Sequence, residues 1–163
     1  MRNLDFLFTF IYTFGMPNNI FKKIRSPREK LGGYVFLPRL IDKIRLHARG
    51  ELPAEYIGNL LGKGTTLDHR LIQFAGLNGE KLREAILASK SDNEVIAWVE
   101  KNGISHTAED KNAWIREIDA YRPAPEMVEF RKKNYPELAA KVDIGALNVF
   151  DMIDMDEGRI PVK

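Results

Sequence analysis

Apolar residues recur along most of the chain at the three- and four-residue intervals that are typical of amphipathic helices. The clearest example runs from Leu37 to Ala48, with Pro38 in the first turn, where a missing N–H costs nothing, and Gly50 after the last turn. No stretch alternates apolar and polar residues convincingly at period two. The pattern predicts an all-α fold: a single compact domain of about six to eight short helices, with little or no sheet.

Helix start signals support this division of the chain. Thr65 with Asp68, and Thr107 with Asp110, have the three-residue spacing of a capping box. Ser91 is a typical N-cap residue at the start of the most regular helical pattern. We therefore expect helices to begin directly after Thr65, Ser91 and Thr107.

The first fifteen residues, MRNLDFLFTFIYTFG, are more apolar and more aromatic than the rest. Their apolar run is shorter than the roughly 20 residues that span a bilayer, and it lacks the basic start and cleavage site of a secretory signal. We interpret residues 1–15 as an atypical extension, with Met16 as the natural start, and residues 16–163 as a single helical domain. The alternatives are a short apolar arm that docks on the domain and a peripheral membrane anchor.

Composition excludes some chemistry and favours a soluble domain. The 163 residues are 44% hydrophobic and 29% charged, which is typical of one globular domain. Cysteine is absent, so disulfides, thiolate metal sites and cysteine nucleophiles are excluded. The same absence suits a reducing compartment, and we expect a cytoplasmic protein.

The net charge is only +2, but the charges are unevenly distributed. Residues 22–49 contain nine Lys or Arg against two acidic residues, whereas residues 143–157 contain five acidic residues and no basic one. One interpretation is that the two segments neutralise each other, within the fold or across a dimer. The other is an anion-binding surface on the basic segment. The sequence DMIDMDEG within the acidic segment is interpreted as a solvated helix end.

The helix that begins at Leu37 combines its apolar stripe with a charged face. Arg39, Asp42, Lys43 and Arg45 lie on or beside the side away from the stripe. Such a face is ordinarily solvated, and each exposed pair contributes only about 0.2–0.5 kcal/mol. Leu46 is an anomaly because it is an apolar residue on the charged side. If another element covers that side, the charged residues become a candidate polar pocket.

Other motifs give little support to a specific chemistry. The segment 54–76 suggests a helix-turn-helix, but its second helix carries one basic residue, Arg70, and we interpret it as an ordinary helical hairpin. The sequence GNLLGKGTT lacks the spacing of a phosphate loop. His47, His69 and His106 are scattered in sequence and are interpreted as surface or capping residues. We therefore predict no metal site and no cofactor, and the sequence contains no recognisable catalytic motif from which to decide whether the protein is an enzyme.

Four blocks of sequence nevertheless resemble a known family when they are taken in order. The blocks are SPREKLGGYVFLPRLIDKIR, GEL followed by EYIGNLLGKGTTLDHRLIQFAGL, SDNEVIAWVEKNG and DMIDMDEGR. Together they resemble the domain-of-unknown-function 5069 family of small bacterial proteins over about residues 26–159. The most specific part is the L-G-G…L-P-R-x-I-D-K-x-R block, because helix formation does not require its polar residues.

The resemblance implies a single cytoplasmic helical domain and no assigned activity, so it supplies no catalytic residue. It directs attention to seven residues as a candidate ligand site: Arg39, Asp42, Lys43, Arg45, Tyr56, Asp68 and Arg70.

The sequence supports three functional hypotheses. The first is protein interaction or self-association, because the two ends of the chain are oppositely charged. The second is binding, or conversion, of a small anionic ligand held by Arg39, Lys43 and Arg70, with Asp42 or Asp68 orienting them. The third and weakest is nucleic-acid binding through residues 22–49; we do not expect a membrane partner. The first two differ in whether the polar side chains of the Leu37–Ala48 helix converge.

Overall fold

The computed structural model describes residues 20–162, in which short helices surround one central helix. The interpretation of residues 1–15, and of Met16 as the start, lies outside the described residues. Within the described range the elements are, in chain order, α1 (Ile20–Lys23), β1 (Lys30–Leu31), β2 (Tyr34–Val35), α2 (Leu37–Ala48), α3 (Ala54–Ile57), α4 (Leu67–Ala75), α5 (Gly79–Ala88), α6 (Asp92–Asn102), α7 (Ala108–Ala120), α8 (Pro125–Asn134), α9 (Pro136–Ala139) and α10 (Val149–Asp156).

The predicted all-α class is confirmed. Between residues 20 and 162, seven helices have eight or more residues, and α1, α3 and α9 are single turns of four residues. The two strands form one antiparallel hairpin with Lys30 opposite Val35 and Leu31 opposite Tyr34. Gly32 and Gly33 form its two-residue turn with φ of +57° and +80°, the left-handed conformation that a tight hairpin turn needs. None of the helices in the described range is long and apolar enough to cross a membrane.

The apolar stripe of α2 forms the centre of the main core. Leu40, Ile41 and Ile44 are at most 1% exposed and lie in one cluster with apolar residues of α4, α5, α6 and α7. Phe150 of α10 closes the same cluster. Burying three such side chains contributes roughly 5–9 kcal/mol, so the stripe is the main determinant of the position of α2. The charged face of α2 therefore has a fixed orientation.

The predicted caps are confirmed at Ser91 and Thr107, and Thr107 forms a complete capping box with Asp110. The prediction for Thr65 is wrong by one residue, because the cap of α4 is Thr66, whose hydroxyl accepts the backbone N–H of His69 at 3.3 Å. The carboxylate of Asp68 points into the protein instead of capping the helix, as the next section describes.

Candidate functional site

Other segments of the chain cover the charged side of α2, and the buried side chain of Leu46 lies on that side. Leu46 is 2% exposed and packs with Ile24 and Leu52 in a small apolar cluster beside the main core. Arg39 and Lys43 are only 3% and 4% exposed. At these two residues the face is therefore not solvated, and of the two roles expected of it, solvated or structural, it has the structural one, because the segments before and after α2 fold across it.

Arg39 forms a buried ion pair with Glu157. Its two terminal nitrogens donate to the two carboxylate oxygens at 2.5 and 3.1 Å. The Tyr56 hydroxyl donates to the same carboxylate at 3.1 Å, and the Tyr56 ring centroid lies 5.8 Å from the guanidinium carbon. Burial lowers the pKa of Arg39, but the hydrogen bonds and charge of Glu157 outweigh it and the net shift is upward. Burial, with the charge of Glu157, raises the pKa of Tyr56, so its hydroxyl stays a proton donor.

Lys43 forms a second buried pair one turn further along α2. Its ammonium donates to Asp68 Oδ1, and the other carboxylate oxygen accepts the Leu61 backbone N–H at 2.8 Å. Burial lowers the pKa of Lys43 because the ammonium loses its hydration, and the charge of Asp68 opposes only part of that effect. We refer to Arg39, Lys43, Tyr56, Asp68 and Glu157 as the buried ion cluster.

The remaining residues of α2 form a separate and more exposed network. Arg25 donates to both oxygens of Asp42 at 2.8 Å and to Asp92 at 2.6 Å. Arg45 donates to the other oxygen of Asp92 at 2.9 Å. Burial raises the pKa of Asp92, but the hydrogen bonds and charges of Arg25 and Arg45 hold it below its ordinary value. Asp42 and Arg45 therefore face a different set of partners from Arg39 and Lys43.

Arg70 lies apart from both networks. It donates to Glu117 of α7 at 3.2 Å, and its guanidinium lies 5.7 Å from the centroid of the Tyr121 ring. The seven predicted residues therefore form two groups and one outlier: Arg39, Lys43, Tyr56 and Asp68 converge, Asp42 and Arg45 form the second network, and Arg70 joins neither.

Two ion pairs join the basic segment, residues 22–49, to the acidic segment, residues 143–157. Arg28 pairs with Asp151 at 2.6 Å, and Arg39 with Glu157 as above. Asp154 is 3% exposed and accepts the Ser26 hydroxyl at 2.9 Å. The interpretation of DMIDMDEG as a solvated helix end is therefore wrong. Seven of the nine cations in residues 22–49 have a carboxylate partner in the described part of the chain.

A second polar site lies where the hairpin meets α6 and α7. It is a cavity of about 270 Å³, which we refer to as the Tyr34 pocket; its lining residues are Tyr34, Glu100, Ile104, Ser105, His106 and Lys111. Tyr34 is 2% exposed and forms part of the main core, so the pocket is anchored to rigid packing. Burial and the charge of Glu100 raise the pKa of Tyr34, which keeps its hydroxyl protonated.

A stack of rings holds His106 in place. The imidazole stacks on Phe74 with centroids 4.1 Å apart, and Phe74 stacks on Trp114 at 4.6 Å. His106 Nε2 lies 2.7 Å from the Phe74 carbonyl oxygen. Because a carbonyl can only accept, Nε2 is the donor of this hydrogen bond. His106 is half-buried and contacts a carbonyl in the last turn of α4, which agrees with a capping role, and its ring also extends the aromatic stack.

Lys111 supplies the positive charge of the Tyr34 pocket. Its ammonium donates to the Gly32 carbonyl oxygen at 2.8 Å and lies 4.2 Å from the centroid of the Tyr34 ring. It forms no ion pair with any residue of the described part of the chain. An ammonium has three donors, so two remain for a bound molecule. Within residues 20–162, no group of three His, Asp or Glu side chains is arranged to hold a metal ion.

Comparison with known proteins agrees with the sequence blocks quoted above. The model of the family described as Domain of unknown function (DUF5069) matches residues 21–159. The chain belongs to this family. No curated protein matches the chain. Membership of the DUF5069 family confirms the resemblance, and the chemistry of this member has to be inferred from its side chains.

Two kinds of residue in this DUF5069 protein were missed by reasoning from sequence. Glu157, the partner of the buried Arg39, lies 118 residues from it in sequence, and no local pattern points to it. The Tyr34 pocket did leave a signal, because the Gly32–Gly33 pair between short apolar segments is typical of a hairpin turn. The hairpin brings Tyr34 beside Lys111, and this contact is set by tertiary packing.

Proposed function

We propose that the protein binds a small carboxylate-bearing molecule in the Tyr34 pocket. The observation that carries this proposal is Lys111, a cation that lines an open cavity without a carboxylate partner among residues 20–162. Tyr34 and His106 add a hydroxyl and an imidazole to the same cavity, and such convergent polar groups are typical of ligand sites. We expect the carboxylate of the ligand to lie at the Lys111 ammonium and its apolar part against the side chains of His106 and Ile104.

The residue cluster predicted from the sequence is less suited to binding an anion than the Tyr34 pocket. An anion at Arg39 or Lys43 would have to displace Glu157 or Asp68, which already occupy both cations with favourable geometry. The hypothesis of nucleic-acid binding has the same weakness, because most cations of residues 22–49 are already paired.

The test is a titration with 3-phenylpropionate, butyrate and succinate followed by two-dimensional NMR and thermal denaturation. We expect shifts of the Gly32, Gly33, Ser105 and Lys111 amides, and stabilisation of about 2.7 kcal/mol wherever a compound reaches 100 times its dissociation constant. Lys111→Met should abolish both responses. Lys90→Met, which removes an exposed lysine of the connection between α5 and α6, is the matched control and should retain them. If neither these compounds nor phenylalanine, which also carries a carboxylate, binds the wild-type protein, the proposal is refuted.

Self-association is a second candidate, supported by a groove between α5 and α6. The groove has a volume of about 550 Å³ and a floor that includes Ala85, Ala88 and Trp98, with Lys81 and Glu94 on its rim. These opposite charges would pair across a two-fold axis with the same groove of a second copy. We expect a dimer in sedimentation at about 100 µM, and a monomer for Ala88→Glu. A wild-type protein that is monomeric at that concentration would refute this candidate.

The expected location of the protein is the bacterial cytoplasm. This prediction is supported by the absence of cysteine and by the family resemblance.

A further inference from the structure

The Gly32–Gly33 turn of the hairpin lies between two opposite charges. A Cβ atom built on Gly32 would be 3.5 Å from Glu100 Oε1 and only 2.4 Å from the Ile96 side chain. A Cβ atom built on Gly33 would be 3.0 Å from Lys111 Cδ and 3.9 Å from its Nζ. Glu100 therefore stands at one glycine and Lys111 at the other, so α6 and α7 place a carboxylate and an ammonium at the same turn.

The Lys111 ammonium and the Glu100 carboxylate form no ion pair with each other. The Lys111 ammonium is directed to the Gly32 carbonyl oxygen and to the face of the Tyr34 ring. The Glu100 carboxylate forms no hydrogen bond or ion pair within residues 20–162, although its charge reaches Tyr34 and raises the pKa of that hydroxyl, second to burial. Both groups line the same cavity. The buried ion cluster shows the opposite arrangement, in which every cation faces its own carboxylate.

We infer that the ligand of the Tyr34 pocket is a zwitterion, with a carboxylate held at Lys111 and an ammonium held at Glu100. The chemical class is a free amino acid with an apolar side chain, whose size suits a cavity of about 270 Å³. The partly exposed ring of His106 and the exposed side chain of Ile104 then contact the apolar part. This inference rests on the proposed function and adds a charge preference to it, because a simple carboxylate gains Lys111 but is repelled by Glu100.

The experiment compares three compounds that share one apolar group. Phenylalanine carries both charges, 3-phenylpropionate only the carboxylate, and phenethylamine only the ammonium. We expect isothermal titration or NMR to give phenylalanine an affinity about tenfold above either of the other two, the usual effect of one added charge-assisted contact. The same series built on leucine, 4-methylpentanoate and isoamylamine tests whether the preference depends on the ring.

Glu100→Gln is the decisive variant because it removes one charge from an exposed side chain. It should abolish the advantage of phenylalanine over 3-phenylpropionate and leave the binding of 3-phenylpropionate unchanged or tighter. Glu84→Gln, on the exposed face of α5, is the matched control and should retain the advantage. Unchanged thermal denaturation of both variants would show that the fold is intact.

The outcomes separate the two proposals. Binding of 3-phenylpropionate that depends on Lys111, with no advantage for phenylalanine, would refute the zwitterion and keep the carboxylate site. An advantage that survives in Glu100→Gln would also refute the zwitterion. Absence of binding by all six compounds would refute both proposals together.

Discussion

The buried ion cluster and the Tyr34 pocket contain similar charged side chains, which are buried and paired in the cluster but accessible and unpaired in the pocket. In the buried ion cluster, Arg39 and Lys43 are almost inaccessible and each faces a carboxylate of its own chain. In the Tyr34 pocket, Lys111 and Glu100 line a cavity and have no ionic partner in the part of the chain that the structure describes. The comparison teaches that a concentration of charge in a sequence does not locate a binding site. What matters is whether the fold supplies the counter-charge or leaves it to a ligand.

A physical reason underlies the difference. Removing an ion from water costs several kcal/mol unless a partner and further hydrogen bonds replace the hydration, so deeply buried cations must be paired. At the pocket the charges keep their water, and leaving them unpaired costs little. The four substitutions below test this contrast, from the largest expected effect to the smallest.

Removing the Glu157 charge should have the largest effect. Glu157→Gln leaves the Arg39 guanidinium buried without a counter-charge, and we expect the free energy of unfolding to fall by about 3–5 kcal/mol in urea denaturation. Glu129→Gln, which removes one partner of an exposed pair with Lys132, should cause no measurable change. Equal stability of the Glu157→Gln and wild-type proteins would show that the cluster is not held by this ion pair.

Removing the Lys43 ammonium should have the next largest effect. Lys43→Met leaves the Asp68 carboxylate with the Leu61 N–H as its donor in the described part of the chain and should reduce the free energy of unfolding by about 2–4 kcal/mol. Adding Asp68→Asn to this variant removes the uncompensated charge and should recover part of the loss, which a double-mutant cycle measures as a coupling between the sites. Additive losses would contradict the ion pair.

A substitution at Gly32 tests how closely the hairpin packs against α6 beside the Tyr34 pocket. Gly32→Ala places a Cβ in the left-handed region and against Ile96, and should reduce the free energy of unfolding by about 2–3 kcal/mol. Gly50→Ala is the matched control, because its φ is +70° but the space around it is open, so it should cost only about 1 kcal/mol. Equal losses at the two positions would mean that the hairpin moves away from α6 without cost.

The partly exposed network around Asp92 should show a smaller, pH-dependent effect. The pKa of Asp92 in the folded protein lies below its ordinary value of 3.8, so its ion pairs stabilise the fold fully above that value. This contribution disappears as the pH falls through the folded pKa. We expect Asp92→Asn to lose about 1 kcal/mol at pH 7, measured by urea unfolding, and the difference from wild type to narrow below pH 3.8. A difference that stays constant down to pH 2 would contradict these pairs.

The extent to which the sequence predicts the site depends on the distance between partners. The cap at Ser91 and the box formed by Thr107 and Asp110 were predictable because donor and acceptor lie three residues apart on one helix. The prediction of Thr65 instead of Thr66 as the cap was wrong because the Asp68 carboxylate can either join a capping box or pair with a buried cation. In the structure it pairs with Lys43. Leu46 correctly indicated that the charged face of α2 is covered, because an apolar residue on such a face is stabilised by burial.

The sequence by itself determined the class of the fold, most helix starts and the membership of the family. These follow from local periodicity, from caps and from ordered blocks of residues, all of which are short-range properties. Only the tertiary structure decided that Arg39 faces Glu157 and that Lys111 faces an open cavity with Glu100 beside it. Pairing and desolvation depend on distances between residues that are more than a hundred positions apart, such as Arg39 and Glu157 at 118, and the packing of the helices alone sets those distances.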